Sequence, residues 1–394
     1  MPWIDFGLTL AGLPVCAAAL YLAGLAALSR RSAPPIHGAS RLRFDVVVPA
    51  HNEEGEIAET VASLLAVHYP RDLFRVFVVA DNCTDRTAER ARAAGAQVLA
   101  RNDQEHRGKG YALAHAFSRS LSEGVADGIV VVDADTVVSS NLLSAFSARF
   151  ERGASVVQAD YGVRNPRSSW RTRMMTIALG AFHGVRSVAR ERLGVSCGLR
   201  GNGMGFTRAV LRAQPPSAFS IVEDLEYGIQ LGYGGTRVQY VHEATVLGYM
   251  AVSEGASRSQ RSRWERGRQA LVRQHVPRLL AQAWERRDLL VLDLALDLLV
   301  PPLGHLAILT AFGLALSVLA AARGAVIAPG VWGTSMLGIL LYVARGWSFS
   351  GAGMRGLLDL LWAPAYIVWK LTLRFRDKGR RPREWVRTTR EVEL

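Results

Sequence analysis

The sequence predicts an α/β domain with a mainly parallel sheet flanked by helices, together with hydrophobic helices at both ends of the chain. Between residues 41 and 255, short apolar runs alternate with stretches of helical periodicity, which is typical of parallel strands joined by crossover helices. Uncharged stretches long enough to span a bilayer occur near the N-terminus and beyond residue 300. A chain of 394 residues can bury a sizeable core in addition to these segments.

The stretch Ile129–Thr136, IVVVDADT, is the centre of the predicted sheet. Its bulky apolar residues show no polar alternation, so we expect a strand that is buried on both faces. Asp133 and Asp135 follow at the carboxyl end of this strand, where open α/β sheets bind ligands. With Ala134 turned away, both carboxylates can reach one divalent cation and leave positions for phosphate. A strand followed by a helix-capping Asp is the alternative interpretation.

The first apolar stretch, residues 8–28, is uncharged and long enough to cross a bilayer. Two arginines follow it at positions 30 and 31 and only Asp5 precedes it, which is the reverse of the charge order in a cleaved signal peptide. We therefore expect residues 1–30 to form a transmembrane anchor whose C-terminal side is cytoplasmic, according to the positive-inside rule.

The net charge of +13 is compatible with nucleic acid, anionic lipid or phosphorylated substrates. Arginine and lysine concentrate at 256–287 and 370–390, beside hydrophobic segments, which favours lipid head groups. No zinc-finger spacing or RNA-binding aromatic motif occurs, so we expect no nucleic-acid partner. Three scattered cysteines, Cys16, Cys83 and Cys197, indicate a reducing compartment and no structural zinc.

The first part of the domain predicts a β-α-β-α-β order. The strand Phe44–Val48 ends at Pro49, and His51-Asn52-Glu53-Glu54 then opens an amphipathic helix. Polar groups at this position suit a nucleotide, although ordinary helix capping gives the same pattern. The missing Gly-x-Gly-x-x-Gly fingerprint counts against an NAD or FAD enzyme. The next predicted elements are the strand Leu73–Ala80, the helix Arg86–Ala94 and the strand Gln97–Ala100.

Two glycine-rich segments could approach an anion or a sugar. Arg107-Gly108-Lys109-Gly110 precedes a predicted helix, and Gly198–Gly205 surrounds Asn202 with glycines. The first segment lacks the spacing of a P-loop, and a flexible surface loop is its alternative. Glu223 and Asp224 begin a later helix, where the macrodipole alone would favour acidic residues. The other predicted elements are the helix Tyr111–Leu121, the helix Asn141–Phe150, the strand Ser155–Ala159 and the helix Trp170–Arg192.

A basic stretch, Ser257–His275, follows the predicted domain. Gln260, Arg263 and Trp264 would share one face of a helix in this stretch. A guanidinium can bind a diphosphate at two points, and an indole can stack on a sugar or lie at the membrane interface. An amphipathic helix bound to anionic lipid is the alternative. We expect residues 256–300 to form amphipathic interfacial helices.

The C-terminal part predicts further membrane segments. Residues 303–321 and 325–343 are candidate spans, and we expect 357–373 to be interfacial or re-entrant, since an odd number of crossings would place the basic tail outside. The membrane region would thus cover residues 301–375, followed by a basic cytoplasmic tail at 376–394. Before it, Asp293 and Asp297 lie four residues apart, which indicates a helix at the interface or along a polar path.

Six motifs between about residues 43 and 268 resemble those of membrane-bound family-two glycosyltransferases. This group includes cellulose, hyaluronan, chitin and poly-N-acetylglucosamine synthases and the ceramide glucosyltransferases. The motifs occur in the same order as in that family and lie between membrane segments. They are Pro49-Ala-His-Asn-Glu-Glu, Ala80-Asp-Asn-Cys-Thr-Asp, Gly108-Lys-Gly, Asp133-Ala-Asp, Glu223-Asp224 and Gln260-x-x-Arg-Trp264.

The resemblance implies a GT-A fold and an inverting transfer from a nucleoside diphosphate sugar, usually UDP-linked. By position it implies that Asp135, with Asp133, coordinates Mg²⁺ or Mn²⁺ and that Asp224 is the general base. The residues that it places around the nucleotide are Pro49, Asn52, Glu53, Asp81, Lys109 and Asp133. The residues that it places toward the acceptor or the diphosphate are Glu223, Gln260, Arg263 and Trp264.

Two enzymes of this kind remain open: a processive synthase and an enzyme that transfers one sugar to a lipid or lipid-linked acceptor. A membrane-anchored nucleotide-sugar or anionic-lipid binding protein without turnover is a third interpretation, and a transporter is disfavoured because no repeated hydrophobic half is visible. In either enzyme the partners are a nucleotide-sugar donor, a lipid or glycan acceptor and membrane lipids, and export partner proteins could receive a polymer. The implied location is the inner (plasma) membrane, with several crossings and a cytoplasmic catalytic domain.

Overall fold

A computed structural model describes the backbone of residues 2–35, 41–250 and 254–362, and the side chains of 3–35, 41–250 and 265–362. The strands are β1 (Phe44–Ala50), β2 (Phe74–Asp81), β3 (Gln97–Arg101), β4 (Gly128–Val131), β5 (Thr136–Val138), β6 (Val156–Val163), β7 (Met204–Thr207) and β8 (Val238–Gly248).

Helix α1 (Pro2–Leu28) precedes the sheet. The helices of the α/β domain are α2 (Ile57–Leu65), α3 (Thr87–Ala93), α4 (Lys109–Glu123), α5 (Leu142–Phe150), α6 (Trp170–Leu179), α7 (Arg186–Leu193), α8 (Arg208–Ala213) and α9 (Glu223–Tyr233). A π-helix at Gly180–Val185 joins α6 to α7, so the predicted helix over residues 170–192 forms with a local widening. After the sheet come α10 (Glu254–Arg286), α11 (Leu289–Leu299), α12 (Leu303–Ala321), α13 (Ile327–Ser350) and α14 (Gly353–Asp359).

The strands form one mixed sheet in the order β3-β2-β1-β4-β7-β6-β8-β5. The β3-β2-β1-β4 half is parallel, as are β6 and β8, whereas β7 runs antiparallel to β4 and β6, and β5 antiparallel to β8. Successive residues of β1 enter opposite cores, because Val46 and Val48 face one hydrophobic cluster and Val47 the other. Helices α2, α3 and α5 cover the first face, and α4, α7, α8 and α9 cover the second. The predicted α/β class is confirmed.

Three strands, β5, β7 and β8, and the end of the central strand differ from the sequence prediction. The central strand ends at Val131, so Asp133 and Asp135 lie in the turn between β4 and β5 and not on a regular strand. The short strand β7 was not predicted, because Gly205 interrupts its apolar pattern. A Cβ there would lie 2.6 Å from a Val157 methyl group, so only glycine allows this close strand packing. Strand β8 was missed because polar residues interrupt its run.

Three described helices are long and apolar enough to cross a membrane: Trp3–Leu28, Leu303–Ala321 and Ile327–Ser350. The first and the last of these pack against each other. The Asp5 carboxylate accepts hydrogen bonds from three backbone N–H groups at the start of α13, 2.8–3.1 Å away, and so satisfies donors that a helix start leaves open. These helices indicate association with a membrane. Most of the third predicted segment, 357–373, and the tail at 376–394 lie outside the described residues.

A buried ionic network joins the α/β domain to the helices that follow it. The Arg190 guanidinium on α7 lies 3.0 Å from the carboxylates of both Asp293 and Asp297 on α11. Arg186 pairs with Asp297 at 2.8 Å, and Tyr21 of α1 donates a hydrogen bond to Asp293. The two acidic residues that suggested an interfacial or path-lining helix therefore face arginines of α7 in the α/β domain. One buried cluster fixes α1, α7 and α11 together.

We expect Arg190→Met to lower the free energy of unfolding by about 3–5 kcal/mol, because the substitution leaves two buried carboxylates without their main counter-charge. Arg192→Met is the matched control, since Arg192 is exposed on the same helix. Thermal and denaturant unfolding of the detergent-solubilised protein would measure both. Equal stability of the two variants would contradict a structural role for this network.

Candidate active site

The loops after β1 and β2 are tied together at the carboxyl end of the sheet. Asn52 adopts a left-handed conformation, φ 56°, which asparagine tolerates better than most residues. Its side-chain oxygen accepts a 2.8 Å hydrogen bond from the Thr84 N–H, and the N–H of Glu53 donates to the Thr87 hydroxyl at 2.8 Å. Pro49 lies within β1, opposite Val79. These contacts give Pro49, Asn52 and Glu53 a fixed place next to Asp81.

Asp81 ends β2 and is almost fully buried. Arg101, at the end of the adjacent β3, donates to its carboxylate at 2.7 Å and lies over the ring of Tyr111. The Tyr111 ring stacks on Phe219, with centroids 4.4 Å apart and planes 13° apart. The sequence prediction included Asp81 but missed Arg101, Tyr111 and Phe219, because three separate segments bring them together. The result is a carboxylate beside a pair of aromatic rings.

Asn202 organises the turn that carries Asp133 and Asp135. Its side-chain oxygen accepts a hydrogen bond from the Asp133 N–H at 3.1 Å, and its amide donates to the Thr136 hydroxyl at 2.8 Å. That hydroxyl donates to the Asp135 carboxylate at 3.3 Å. Gly201 and Gly203 on either side of Asn202 have positive φ, which permits this close approach. The glycine-rich loop therefore lies against the acidic turn.

Lys109 connects the acidic turn to the start of α9. Its ammonium lies 2.5 Å from an Asp133 carboxylate oxygen, 2.6 Å from the Gly201 carbonyl oxygen and 3.9 Å from a Glu223 carboxylate oxygen. Burial alone would lower the pKa of Lys109, but the negative charges of Asp133 and Glu223 outweigh it and hold the pKa above its ordinary value. The ammonium is therefore charged in this structure.

Glu223 and Asp224 begin α9 beside this ammonium. A Cβ built on Gly201 would lie 3.2 Å from an Asp224 carboxylate oxygen and 3.6 Å from the Lys109 nitrogen, so these three residues meet at one point. Burial raises the pKa of Glu223 to about 7, although Lys109 opposes the shift. Burial also raises the pKa of Asp224, again against Lys109. Both carboxyl groups are consequently better proton acceptors than exposed ones.

Tyr161 is a further residue of this site that sequence reasoning missed. Burial, followed by the charges of Asp133 and Asp135, raises the pKa of its phenol, and Asp224 adds to the shift. All three carboxylates therefore act on one hydroxyl group. The Tyr161 ring stacks on His183 of the π-helix, with centroids 5.0 Å apart, which holds it in place. Only the long-range pairing of β6 with β8 brings Tyr161 here, so no local sequence signal could have found it.

Helix α10 packs beside the start of α9. The positions of Gln260, Arg263 and Trp264 fall within it, as predicted, and their side chains lie outside the described residues. One turn later, a Cβ built on Gly267 would lie 2.8 Å from the methyl groups of Val222. Since Val222 directly precedes Glu223, α10 packs against the segment that positions the two acidic residues.

The acidic turn fits a divalent cation only with help from a ligand. Among the residues that the structure describes, no group of three or more His, Cys, Asp or Glu side chains could hold a metal ion. Mg²⁺ is commonly bound by one or two carboxylates together with substrate phosphates. Asp135 and Asp133 match that donor set, although Asp133 is also paired with Lys109. The residues thus suit a cation that arrives with a diphosphate.

A mixed sheet with acidic groups and a lysine at its carboxyl edge, attached to hydrophobic helices, agrees with the GT-A glycosyltransferase fold that the six motifs imply. The family model described as "Glycosyltransferase like family 2" matches residues 41–267. The chain therefore belongs to this family, as the six motifs predicted. It is 24% identical over 262 residues to "Probable glycosyltransferase YdaM" of Bacillus subtilis, covering 64% of this chain and 60% of that protein.

Other relatives include lipid-modifying enzymes. The "Beta-monoglucosyldiacylglycerol synthase" of Nostoc sp. is 28% identical over 231 residues, covering 56% of this chain and 48% of the relative. The chain thus spans about half to three fifths of the length of these relatives. The mannosyltransferase PcManGT from Pyrobaculum calidifontis, solved with GDP-Man and Mn²⁺, has a TM-score of 0.55 at 19% identity and covers 90% of this chain and 98% of its own. That similarity confirms the fold.

The raised pKa of Glu223 predicts a pH dependence of stability. The unfolded chain releases this proton near pH 4.5 and the folded protein near pH 7, so the folded state binds more protons in between. The free energy of unfolding should therefore fall as the pH rises through this window. We expect Glu223→Gln to reduce that fall, whereas Glu285→Gln, on an exposed part of α10, should not. Thermal unfolding midpoints across the window would measure the effect, and identical pH profiles for wild type and Glu223→Gln would contradict it.

Proposed function

We propose that this protein is an inverting glycosyltransferase that moves a sugar from a nucleoside diphosphate donor to a lipid or glycan acceptor at the cytoplasmic membrane face. The observation that carries the proposal is the convergence of Asp133, Lys109 and Asp224 at one point. Tyr161 extends this cluster to Asp135, since all three carboxylates raise the pKa of its phenol. A cation, a lysine and a half-buried base are the groups that displacement of a diphosphate requires.

The nucleoside would bind where the β1 and β2 loops meet. Asp81 offers a hydrogen-bond acceptor, and its 2.7 Å ion pair with Arg101 fixes its orientation. The stacked rings of Tyr111 and Phe219 lie close to Arg101 and offer apolar surface to a planar base. The motifs favour a UDP-linked donor, whereas the solved mannosyltransferase of similar fold holds GDP-Man. A panel of donors should therefore include both nucleotides.

The diphosphate would lie beside Lys109 and the acidic turn. Lys109 now donates to Asp133 and to the Gly201 carbonyl, so its ammonium is already held at the place where phosphate charge would arrive. Asp135, together with Asp133, would hold Mg²⁺ or Mn²⁺. The cation would supply Lewis-acid stabilisation of the departing diphosphate. Arg263, through the family resemblance, would add a second positive group from α10.

Asp224 would accept the proton from the acceptor hydroxyl group. In a single in-line displacement, the acceptor oxygen bonds to the anomeric carbon while the bond from that carbon to the diphosphate breaks, which inverts the configuration. Burial raises the pKa of Asp224, so its carboxylate binds the released proton more readily than an exposed one. Glu223, Gln260 and Trp264 would line the acceptor side.

Single transfer to a lipid is the favoured form of this activity. The relative named a monoglucosyldiacylglycerol synthase supports a lipid acceptor, while a processive polymer synthase that works with export partner proteins remains the second candidate. In the proposed topology, residues 1–30 anchor the chain, 41–255 form the cytoplasmic catalytic domain and 256–300 lie on the membrane surface. Residues 301–375 return to the inner membrane, and the basic tail at 376–394 stays in the cytoplasm.

Membranes that contain the protein, incubated with labelled UDP- and GDP-sugars, test the proposal. Label in the lipid extract indicates single transfer, and label in long insoluble polymer indicates processivity. Binding of a donor without any transfer would contradict the enzyme and leave a nucleotide-sugar binding protein.

We expect Asp224→Asn to lower turnover by about 10²–10⁴-fold, the usual size of a general-base contribution. Affinity for the donor should change little, since the amide keeps the size and hydrogen-bonding ability of the side chain. Steady-state kinetics and calorimetric titration of the nucleotide measure the two effects separately. Glu105→Gln, an exposed position, is the control for a lost negative charge. Retention of most activity in Asp224→Asn would remove it from this role.

We expect Asp135→Ala to weaken the response to the cation. The concentration of Mn²⁺ that gives half-maximal activity should rise by about 10–100-fold, the effect typical of damage to the surroundings of a metal site. Titration of Mn²⁺ in the presence and absence of a nucleoside diphosphate would measure it. Undiminished activity of the wild type in excess chelator would contradict the metal assignment.

A further inference from the structure

A groove lies at the junction of α10, α11 and the start of α12. Its cavity is about 200 Å³, with one wall from residues 265–273 of α10 and the other from residues 298–302. Val272, Leu298 and the two prolines at 301 and 302 make an apolar floor, while Gln269 and Arg273 stand at the exposed rim. The groove is therefore suited to an apolar chain that carries a polar end.

The groove lies next to the start of a helix that is long and apolar enough to cross a bilayer. Helix α12 begins at Leu303, directly after the prolines that line the groove, and is one of the helices long and apolar enough to cross a membrane. Leu299 beside the groove is 47% exposed and Leu296, one turn earlier, is 38% exposed. Apolar surface next to the start of a spanning helix is at the level where lipid chains begin. A membrane lipid is thus the occupant that the surroundings supply.

The groove also adjoins the candidate active site. Arg268 forms part of its wall and donates hydrogen bonds to the carbonyl oxygens of Asp297, Leu298 and Val300 at 2.5–3.1 Å, which holds α10 against the end of α11. The preceding residue, Gly267, packs on Val222, and Val222 precedes Glu223 and Asp224. Residues 267 and 268 of α10 therefore contact, respectively, the segment that carries Asp224 and the groove.

We propose that this groove binds the apolar chain of the lipid acceptor and directs its hydroxyl head group along α10 toward Asp224. The inference rests on the proposed glycosyl transfer and names its acceptor class, a membrane lipid with a free hydroxyl group. Pockets that enclose whole drug-sized ligands measure about 300–1,000 Å³, so this smaller groove holds part of one chain and the remainder stays in the bilayer. Seating the chain fixes the direction from which the hydroxyl group arrives, and such orientation is a large part of catalysis.

The test uses a diacylglycerol that carries a photoactivatable diazirine in one chain, incorporated into nanodiscs with the full-length protein. After irradiation and digestion, we expect adducts on peptides from residues 265–273 and 298–302. If donor sugar is added before irradiation, part of these groove adducts should carry the sugar in wild type and not in Asp224→Asn. Adducts confined to the lipid-facing sides of α1, α12 and α13 would overturn the proposal.

Two variants separate groove binding from general contact with lipid. Val272→Trp should fill the groove and remove most of its labelling while the spanning helices remain labelled, because a tryptophan side chain takes up much of a cavity of about 200 Å³. Leu280→Trp also introduces a tryptophan, at an exposed position of α10 outside the groove, and should leave labelling unchanged. Equal labelling of the groove in both variants would contradict the proposal.

The result also separates the two proposals from each other. Sugar-bearing lipid in the extract without any sugar on groove adducts would show an acceptor that binds elsewhere, and would overturn the groove. Groove adducts without sugar transfer from any UDP- or GDP-linked donor would overturn the proposed enzyme and leave a lipid-binding groove.

Discussion

The ammonium of Lys109 is the contact on which the rest of the site depends. It forms an ion pair with Asp133, is attracted by the negative charges of Glu223 and Asp224, and donates a hydrogen bond to the Gly201 carbonyl oxygen. Elements from three distant parts of the chain therefore meet around one positive charge. Without it, the half-buried carboxylates of Asp133, Glu223 and Asp224 would repel one another and draw in protons. The same charge occupies the position where a diphosphate would lie. One residue therefore stabilises the arrangement of these carboxylates and would bind the donor.

A second cluster of buried charge gives this site its relation to the membrane helices. Arg186 and Arg190 of α7 form ion pairs with Asp293 and Asp297 of α11. Tyr21 of α1 donates a hydrogen bond to Asp293 and so joins α1 to the same cluster. Arg268 of α10 donates a hydrogen bond to the Asp297 carbonyl oxygen, so the cluster is also connected to α10 and to the groove between residues 265–273 and 298–302. Removing one partner of a buried ion pair is costly, because it leaves an uncompensated charge in the interior. The placement of these pairs fixes the position of the α/β domain relative to α1 and α11.

Much of the fold follows from local sequence. The uninterrupted apolar runs of β1 and β4 predicted buried strands, and the break at Pro301-Pro302 set the start of α12. The order of the motifs predicted the family, which was confirmed. Local sequence patterns could not predict which residues far apart in the chain come into contact. Strand β7 depends on Gly205 fitting under Val157, Tyr161 reaches the site through β6 and β8, and the arginine partners of Asp293 and Asp297 lie about a hundred residues earlier in the chain.

The most direct measurement is a structure of the protein determined by cryo-electron microscopy in nanodiscs with a nucleoside diphosphate sugar and Mn²⁺. Our account predicts that the diphosphate lies against Lys109 with the cation at Asp135. It also predicts that the nucleobase of the donor stacks near Tyr111 and that the anomeric carbon of the sugar faces Asp224. A donor bound elsewhere, with the contacts of Lys109 to Asp133 and Gly201 unchanged, would contradict the account.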